Sequence, residues 1–408
     1  MRIWTFPSFY PYDYPGMRWH GIFAHRQYKG LVAAGAQVTV VVPVLARPNF
    51  PFSLTDKHWK HTSHAHLPRK RVHDGITVYH PRIPNMRPAR FWPPYKERYL
   101  QTILKFFKEH KLHKDDILFS QWLPEGIIMQ EAARILGVRS AILTIGDDVV
   151  LWPKASAEHF KVFEKALTQA NFYFTCADYL GREANKMLGK NLHYNVVYMG
   201  VDYHRFKPVT EPERTALREK YKVPADKIAI LCVGTAIVRK GWLDLFDALQ
   251  MVKKTSDNFV IIGVYAGDAE LDLVKEAAAR GLSENFINVG EVAPANTHEL
   301  FSAADMVCLA SHWEGLANVV IEGMSSGLPV VTTNVCGHPE LVTDGVNGIL
   351  VEPKQPAQLA QKLQLLLSDK NERERLGANA RKHIVEHWGD FNDNSKKLFD
   401  ILSRGTNE

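Results

Sequence analysis

The stretch from Ser311 to Val331, SHWEGLANVVIEGMSSGLPVV, carries two acids, Glu314 and Glu322, with seven residues between them. Glu314 follows the apolar run Met306 to Ala310 and adjoins Gly315, whereas Glu322 lies in an amphipathic segment closed by Gly327-Leu328-Pro329. This pattern predicts a strand, a tight turn and a helix start, with one carboxylate in the turn and the other in the helix. Such a helix start offers unpaired N–H groups and positive potential, which suit a phosphate. Carboxylates repel phosphate, so their role is to accept hydrogen bonds from hydroxyls. A nucleotide sugar offers both groups.

A second chemical segment reads Val233-Gly234-Thr235-Ala236-Ile237-Val238-Arg239-Lys240-Gly241. A strand ends at Gly234, and a helix begins near Gly241. Arg239 and Lys240 at the loop's end are suited to neutralise charge growing on a departing diphosphate. A third, Pro15 to Phe23, joins the first strand to its helix, with Gly21 permitting close approach of backbone to phosphate. Arg18, His20 and Arg26 are candidate acceptor contacts beside it. No GxGxxG accompanies the first strand, which argues against nicotinamide binding.

Downstream of Glu322 follow Thr332-Thr333-Asn334-Val335-Cys336-Gly337-His338-Pro339-Glu340 and the turn Asp344-Gly345-Val346-Asn347-Gly348. Together with the Glu314 block they resemble the donor-binding signature of retaining glycosyltransferases of family 4, whose fold is GT-B. Glu314, Gly315, Asn318, Val319, Glu322, Met324, Gly327, Pro329, Val330 and Val331 fall in register with it. Ala317 stands where Pro is frequent, and Gly323 where Ala is. The linker Met199 to Pro208, MGVDYHRFKP, is also similar to the family's segment between domains.

That resemblance implies that Glu314 touches the donor sugar's hydroxyls and Glu322 the nucleotide's ribose. Gly315, Leu316 and Ala317 would turn amides to the sugar–phosphate end, with Asn318, Gly234, Gly21 and Val292 completing the donor contacts. Lys240 would stabilise the leaving group with an Arg that usually follows the strand's Gly. Thr235 stands there instead, and Arg239 is the candidate substitute. Two family histidine positions are held by Gln121 and Ile145; Gln121 and the pair Asp147–Asp148 are left as acceptor-contact candidates, the pair having an equal reading as a turn or helix cap. The implied activity is retaining, metal-independent hexosyl transfer (EC 2.4) from a nucleotide diphosphate sugar, most commonly a UDP-sugar, with no cofactor. The rival readings are a sugar-nucleotide epimerase and a non-catalytic subunit that binds nucleotide sugar or scaffolds a partner enzyme.

Behind these motifs, short strand-like runs alternate with helical periodicity almost throughout, the pattern of α/β folds with parallel sheets. The expected architecture is GT-B: two facing Rossmann-like, doubly wound parallel-sheet domains with an interdomain cleft. An acceptor domain over residues 1–203 and a donor domain over 204–388 are expected. A helix over 389–408 is expected to pack back on the first. The 408 residues exceed one ordinary core, and 46% hydrophobic against 23% charged content excludes wholesale disorder. Cys176, Cys232, Cys308 and Cys336 are widely spaced, without a CxxC pattern, as in a reducing compartment. No signal-peptide pattern opens the chain, so a cytoplasmic protein is expected.

The net charge of +6 gains meaning from its location. Arg82 to Lys114 holds nine Lys or Arg and two acids, mixed with Phe91, Trp92, Tyr95, Tyr99, Phe106 and Phe107. One reading is a surface for anionic lipid or a lipid-linked acceptor, giving peripheral membrane association; the other is an ordinary surface helix. Nothing reads as nucleic-acid binding. His58, His61, His64 and His66 lie in a polar loop without a nearby acid, and no metal site is expected.

Overall fold

In a computed structural model of the protein, the described residues are 1–7, 10–11, 21–46, 67–84, 92–265 and 269–405. They divide into two compact units, one of Met1–Tyr198 with Phe391–Glu408 and one of Met199–Asp390. The Arg18 and His20 candidates, His58 to His66, Arg87, Arg90 and Phe91 fall outside the described residues.

The first unit runs β1 (Arg2–Pro7), α1 (Ile22–Ala33), β2 (Gln37–Val41), β3 (Val44–Ala46), β4 (Lys70–His73), β5 (Ile76–Tyr79), β6 (Arg82–Pro84) and α2 (Trp92–Glu109). It continues through β7 (Ile117–Gln121), α3 (Leu123–Leu136), β8 (Arg139–Thr144), α4 (Asp147–Val150), α5 (Ala157–Gln169), β9 (Phe172–Thr175), α6 (Asp178–Leu188) and β10 (Asn195–Val196). Its main sheet has the order β10-β9-β8-β7-β1-β2-β5-β4. All its pairs are parallel except β4 with β5, an antiparallel hairpin.

β1 and β7 are apolar along most of their length because helices cover both faces of a parallel sheet. Trp4 and Phe6 of β1 pack with Tyr99, Ile103, Phe106 and Phe107 of α2 and Met129 of α3. Tyr99, Phe106 and Phe107 of the basic stretch are therefore committed to the core, while Arg98, Lys105 and Lys108 stay exposed.

The second unit begins with the linker and α7 (Glu211–Lys220), then β11 (Ile228–Val233), α8 (Trp242–Lys253), β12 (Phe259–Val264), α9 (Leu273–Ala279), β13 (Phe286–Gly290), α10 (Thr297–Ala303) and β14 (Met306–Leu309). It ends with α11 (Asn318–Ser325), β15 (Val330–Thr333), α12 (His338–Leu341), β16 (Ile349–Val351), α13 (Pro356–Ser368), α14 (Lys370–His383) and a π-helical turn, Ile384–Trp388. The parallel sheet is ordered β13-β12-β11-β14-β15-β16. Trp242, Leu245, Phe246 and Leu249 of α8 and Leu359, Leu363 and Leu366 of α13 bury against it.

The linker belongs with this unit. Phe206 is buried edge-on to Phe301 at 5.4 Å, and the Phe206 carbonyl accepts from the Arg381 guanidinium at 2.7 Å. At the unit's other end the Trp388 indole N–H donates to the Met199 carbonyl at 2.9 Å. The last helix, α15 (Phe391–Arg404), packs on α1, with Ser395 Oγ donating to the Gln27 carbonyl at 3.0 Å. Gly30 makes that approach possible, since a methyl group there would overlap Ser395. Among the described residues no helix is long and apolar enough to cross a membrane.

Candidate functional site

Two strand exits in the second unit bring the chemical residues together. β11 and β14 are neighbours, so the loops leaving their C-terminal ends are side by side. After β11 the chain turns at Gly234, makes a short 3-10 turn over Val238–Lys240 and enters α8 at Gly241. Gly241 has φ 70°, and a Cβ there would collide with the Ala310 carbonyl at the end of the neighbouring strand. Only glycine permits this contact, which seats Lys240 against the Ser311–Glu314 loop.

Lys240 Nζ lies 2.5 Å from Glu314 Oε1, and Ser311 Oγ donates to the same oxygen at 2.8 Å. Arg239 approaches Glu314 Oε2 at 3.7 Å while its guanidinium lies over the Trp313 ring, 4.2 Å from the centroid. Behind them His312 Nε2 meets Asp244 Oδ2 at 2.6 Å, and the Trp242 indole donates to the Thr235 carbonyl at 3.1 Å. Glu314 is only 7% exposed. Burial works to raise its pKa, but the Lys240 charge and the hydrogen bonds from Lys240 and Ser311 outweigh it and hold the carboxyl below its ordinary value. It is an anion fixed between cations, with its remaining acceptor capacity available to hydroxyls.

α11 starts four residues after Glu314, with Ala317 at its N-cap and no side-chain cap. Its first N–H groups lack intrahelical acceptors by helix geometry and carry partial positive charge. Gly315 and Leu316 are half-buried, Ala317 buried and Asn318 half-buried in this turn. Glu322 lies one turn further along α11, also half-buried. Gly234 faces the Lys240 stem without obstruction. Val292 follows β13 in a half-buried loop.

Sequence reasoning missed His338. It is fully buried at the start of α12. Its Nδ1 lies 3.0 Å from both the Thr333 carbonyl and Thr332 Oγ1. A carbonyl only accepts, so Nδ1 bears the proton. Burial, which outweighs the opposing Glu314 charge, lowers the ring's pKa and keeps it neutral. Nε2 is then an acceptor, and it has no hydrogen-bond partner among the described residues. The sequence gives no sign of this, because the partners that fix the tautomer come from the preceding strand.

In the first unit Gly21 caps α1 at φ 75°. The acceptor candidates there separate. Asp147 is exposed, whereas Asp148 is fully buried and accepts from the N–H groups of Leu123, Ile145 and Gly146 at 3.1, 3.1 and 2.8 Å. Burial pushes its pKa up to about 6 despite those bonds. Asp148 therefore builds the turn after β8, a correction to its reading as an acceptor contact. Gln121 is 6% exposed. Its amide donates to Gln27, and its oxygen accepts from the Tyr28 hydroxyl at 3.4 Å. Ile145 is an exposed apolar side chain with no donor to offer.

Residues 213–383, most of the second unit, match the family model "Glycosyl transferases group 1". The chain is 27% identical over 368 residues, 88% of each chain, to a putative teichuronic acid biosynthesis glycosyltransferase, TuaC, of Bacillus subtilis. It is 34% identical over 217 residues to the D-inositol 3-phosphate glycosyltransferase of Xylanimonas cellulosilytica, covering 52% of this chain and 51% of that one. Among solved structures, Anabaena HepE in complex with UDP aligns over 99% of this chain and 100% of its own with a TM-score of 0.73 at 20% identity. The sucrose-phosphate synthase of Thermosynechococcus elongatus aligns over 99% of each chain with a TM-score of 0.79 at 15% identity, a likeness of fold. Two parallel-sheet α/β units of this kind give the chain the GT-B fold, and residues 213–383 of its second unit are similar to the group 1 glycosyl transferases.

Proposed function

We propose that the chain moves a sugar from a nucleoside diphosphate sugar to a sugar or lipid-linked acceptor, with retention at the anomeric carbon and without a metal. Lys240 held against Glu314 beside the start of α11 carries this reading. Glu314 accepts hydrogen bonds from sugar hydroxyls, and the α11 amides with Lys240 and Arg239 meet the diphosphate. Glu322 takes the ribose. As the bond from the anomeric carbon to phosphate oxygen breaks, charge grows on the diphosphate and the preorganised cations and amides stabilise it. The acceptor oxygen bonds to the same face of that carbon, and its proton passes to the leaving phosphate oxygen. With Gln121 and Asp148 engaged internally, the reaction needs no base from those positions.

UDP is the nucleotide favoured for testing, because HepE was solved with UDP and with UDP-glucose. The resemblance to TuaC, named for teichuronic acid biosynthesis, favours a polysaccharide product, and the basic stretch Arg82 to Lys114 a lipid-linked acceptor at the cytoplasmic face of a membrane. Incubating the protein with a panel of UDP- and GDP-sugars, and following donor hydrolysis and transfer, tests the function. Glu322→Ala and Lys240→Ala are expected to lose transfer by orders of magnitude; wild-type rates in both refute the site.

A further inference from the structure

A second polar cluster lies wholly in the first unit and shares no residue with the Lys240–Glu314 site. His25 of α1, His73 at the end of β4 and Asp74 in the following turn bring one ligand atom each to within 4.8 Å of one another. We propose that these three residues bind a divalent first-row transition metal ion, zinc by preference, that clips the β4–β5 hairpin to α1.

The donor set is two imidazoles and one carboxylate, the mixture that suits zinc, with water as the fourth ligand. His25 Nε2 and Asp74 Oδ2 are 3.1 Å apart. Zinc bonds of about 2.0–2.1 Å in tetrahedral array require roughly 3.3 Å between ligand atoms, so this edge is nearly formed. The hairpin sets the other two ligands: His73 pairs with Ile76 across it, and Asp74 and Gly75 turn it with φ 46° and 80°.

His25 Nδ1 lies 2.7 Å from the hydroxyl of Tyr10, itself fully buried. A metal-binding histidine normally donates its other N–H to such an oxygen, which fixes the ring and its tautomer. The cluster also opens outward: the His25 side chain is 5% exposed and that of Asp74 57%, leaving room for water. Lys29 Nζ, 3.9 Å from Asp74 Oδ2, holds the cation's place and must swing aside on binding.

The test titrates untagged full-length protein with Co²⁺ alone and follows the visible absorption of four-coordinate cobalt, then adds Zn²⁺. One equivalent with an intense band that zinc displaces is expected. His73→Ala and Asp74→Asn, both tolerable in a hairpin turn, are expected to abolish the band. Tyr10→Phe is expected to weaken cobalt about 10- to 100-fold without unfolding. No band at millimolar cobalt overturns the proposal. So does a band that survives His73→Ala and Asp74→Asn, for instance one lost instead in His61→Ala/His64→Ala.

Discussion

Glu314 and Lys240 are 74 residues apart and depend on each other, since neither group is well solvated. Lys240→Met leaves the buried carboxylate with only the more distant Arg239 and the Ser311 hydroxyl, which is expected to destabilise the second unit by about 3 kcal/mol. Adding Glu314→Gln removes the orphaned charge and is expected to restore most of that stability in a denaturation curve. Transfer stays down by about 10²–10³-fold, as when a preorganised charge stabiliser is lost. Recovery of activity along with stability would show that the pair is merely structural. The motif made Arg239, Lys240 and Glu314 legible because each sits at a strand exit marked by glycine. It could not tell Asp147 from Asp148, since backbone torsions alone turn one carboxylate outward and the other onto three amides. His338 stayed hidden because Thr332 and Thr333, which fix its tautomer, meet it only once the chain folds.

Among the elements, the apolar parallel strands are plain from composition, whereas β4 and α7 have little apolar patterning. β4 reads Lys-Arg-Val-His and pairs only along one edge. α7 was masked by Pro212, which stands in the first helical turn, where no N–H is needed. That helix is held by charge: Arg214 and Arg218 reach Asp305 at 2.6 and 3.0 Å. Burial would raise the pKa of Asp305, but Arg214, the Ala229 amide and Arg218 hold it below its usual 3.8. A lowered carboxylate pKa gives stability that is complete above the unfolded value and lost as pH falls through the folded one. Asp305→Asn is thus expected to lower the melting temperature near neutrality, and less so in the acid range below pH 3.8, as followed by calorimetry against pH. Gly241→Ala combines a left-handed φ with a clash on Ala310, and about 2–4 kcal/mol of destabilisation is expected. An unchanged melting temperature would contradict the close approach of the two loops.

For the whole molecule, the basic face of α2 offers exposed charge at Arg98, Lys105 and Lys108. Binding to anionic vesicles through these charges is expected to be electrostatic. It should weaken with salt, and by roughly 100-fold in Arg98→Gln/Lys105→Gln/Lys108→Gln, at about 1 kcal/mol per charge. Equal co-sedimentation of variant and parent would end the membrane reading. Removing α15 uncovers the groove around Gly30 and the partners of Leu398 and Leu402, so a chain ending at residue 390 is expected to aggregate. The bond from Trp388 to Met199 carries a different implication. It ties the first residue of the second unit to its last helical turn, so that segment enters and exits at one spot, as an inserted cassette does. Excised as residues 199–390, it should fold unaided and accept transplantation between frameworks, which would let donor choice be recombined without redesigning the rest of the enzyme.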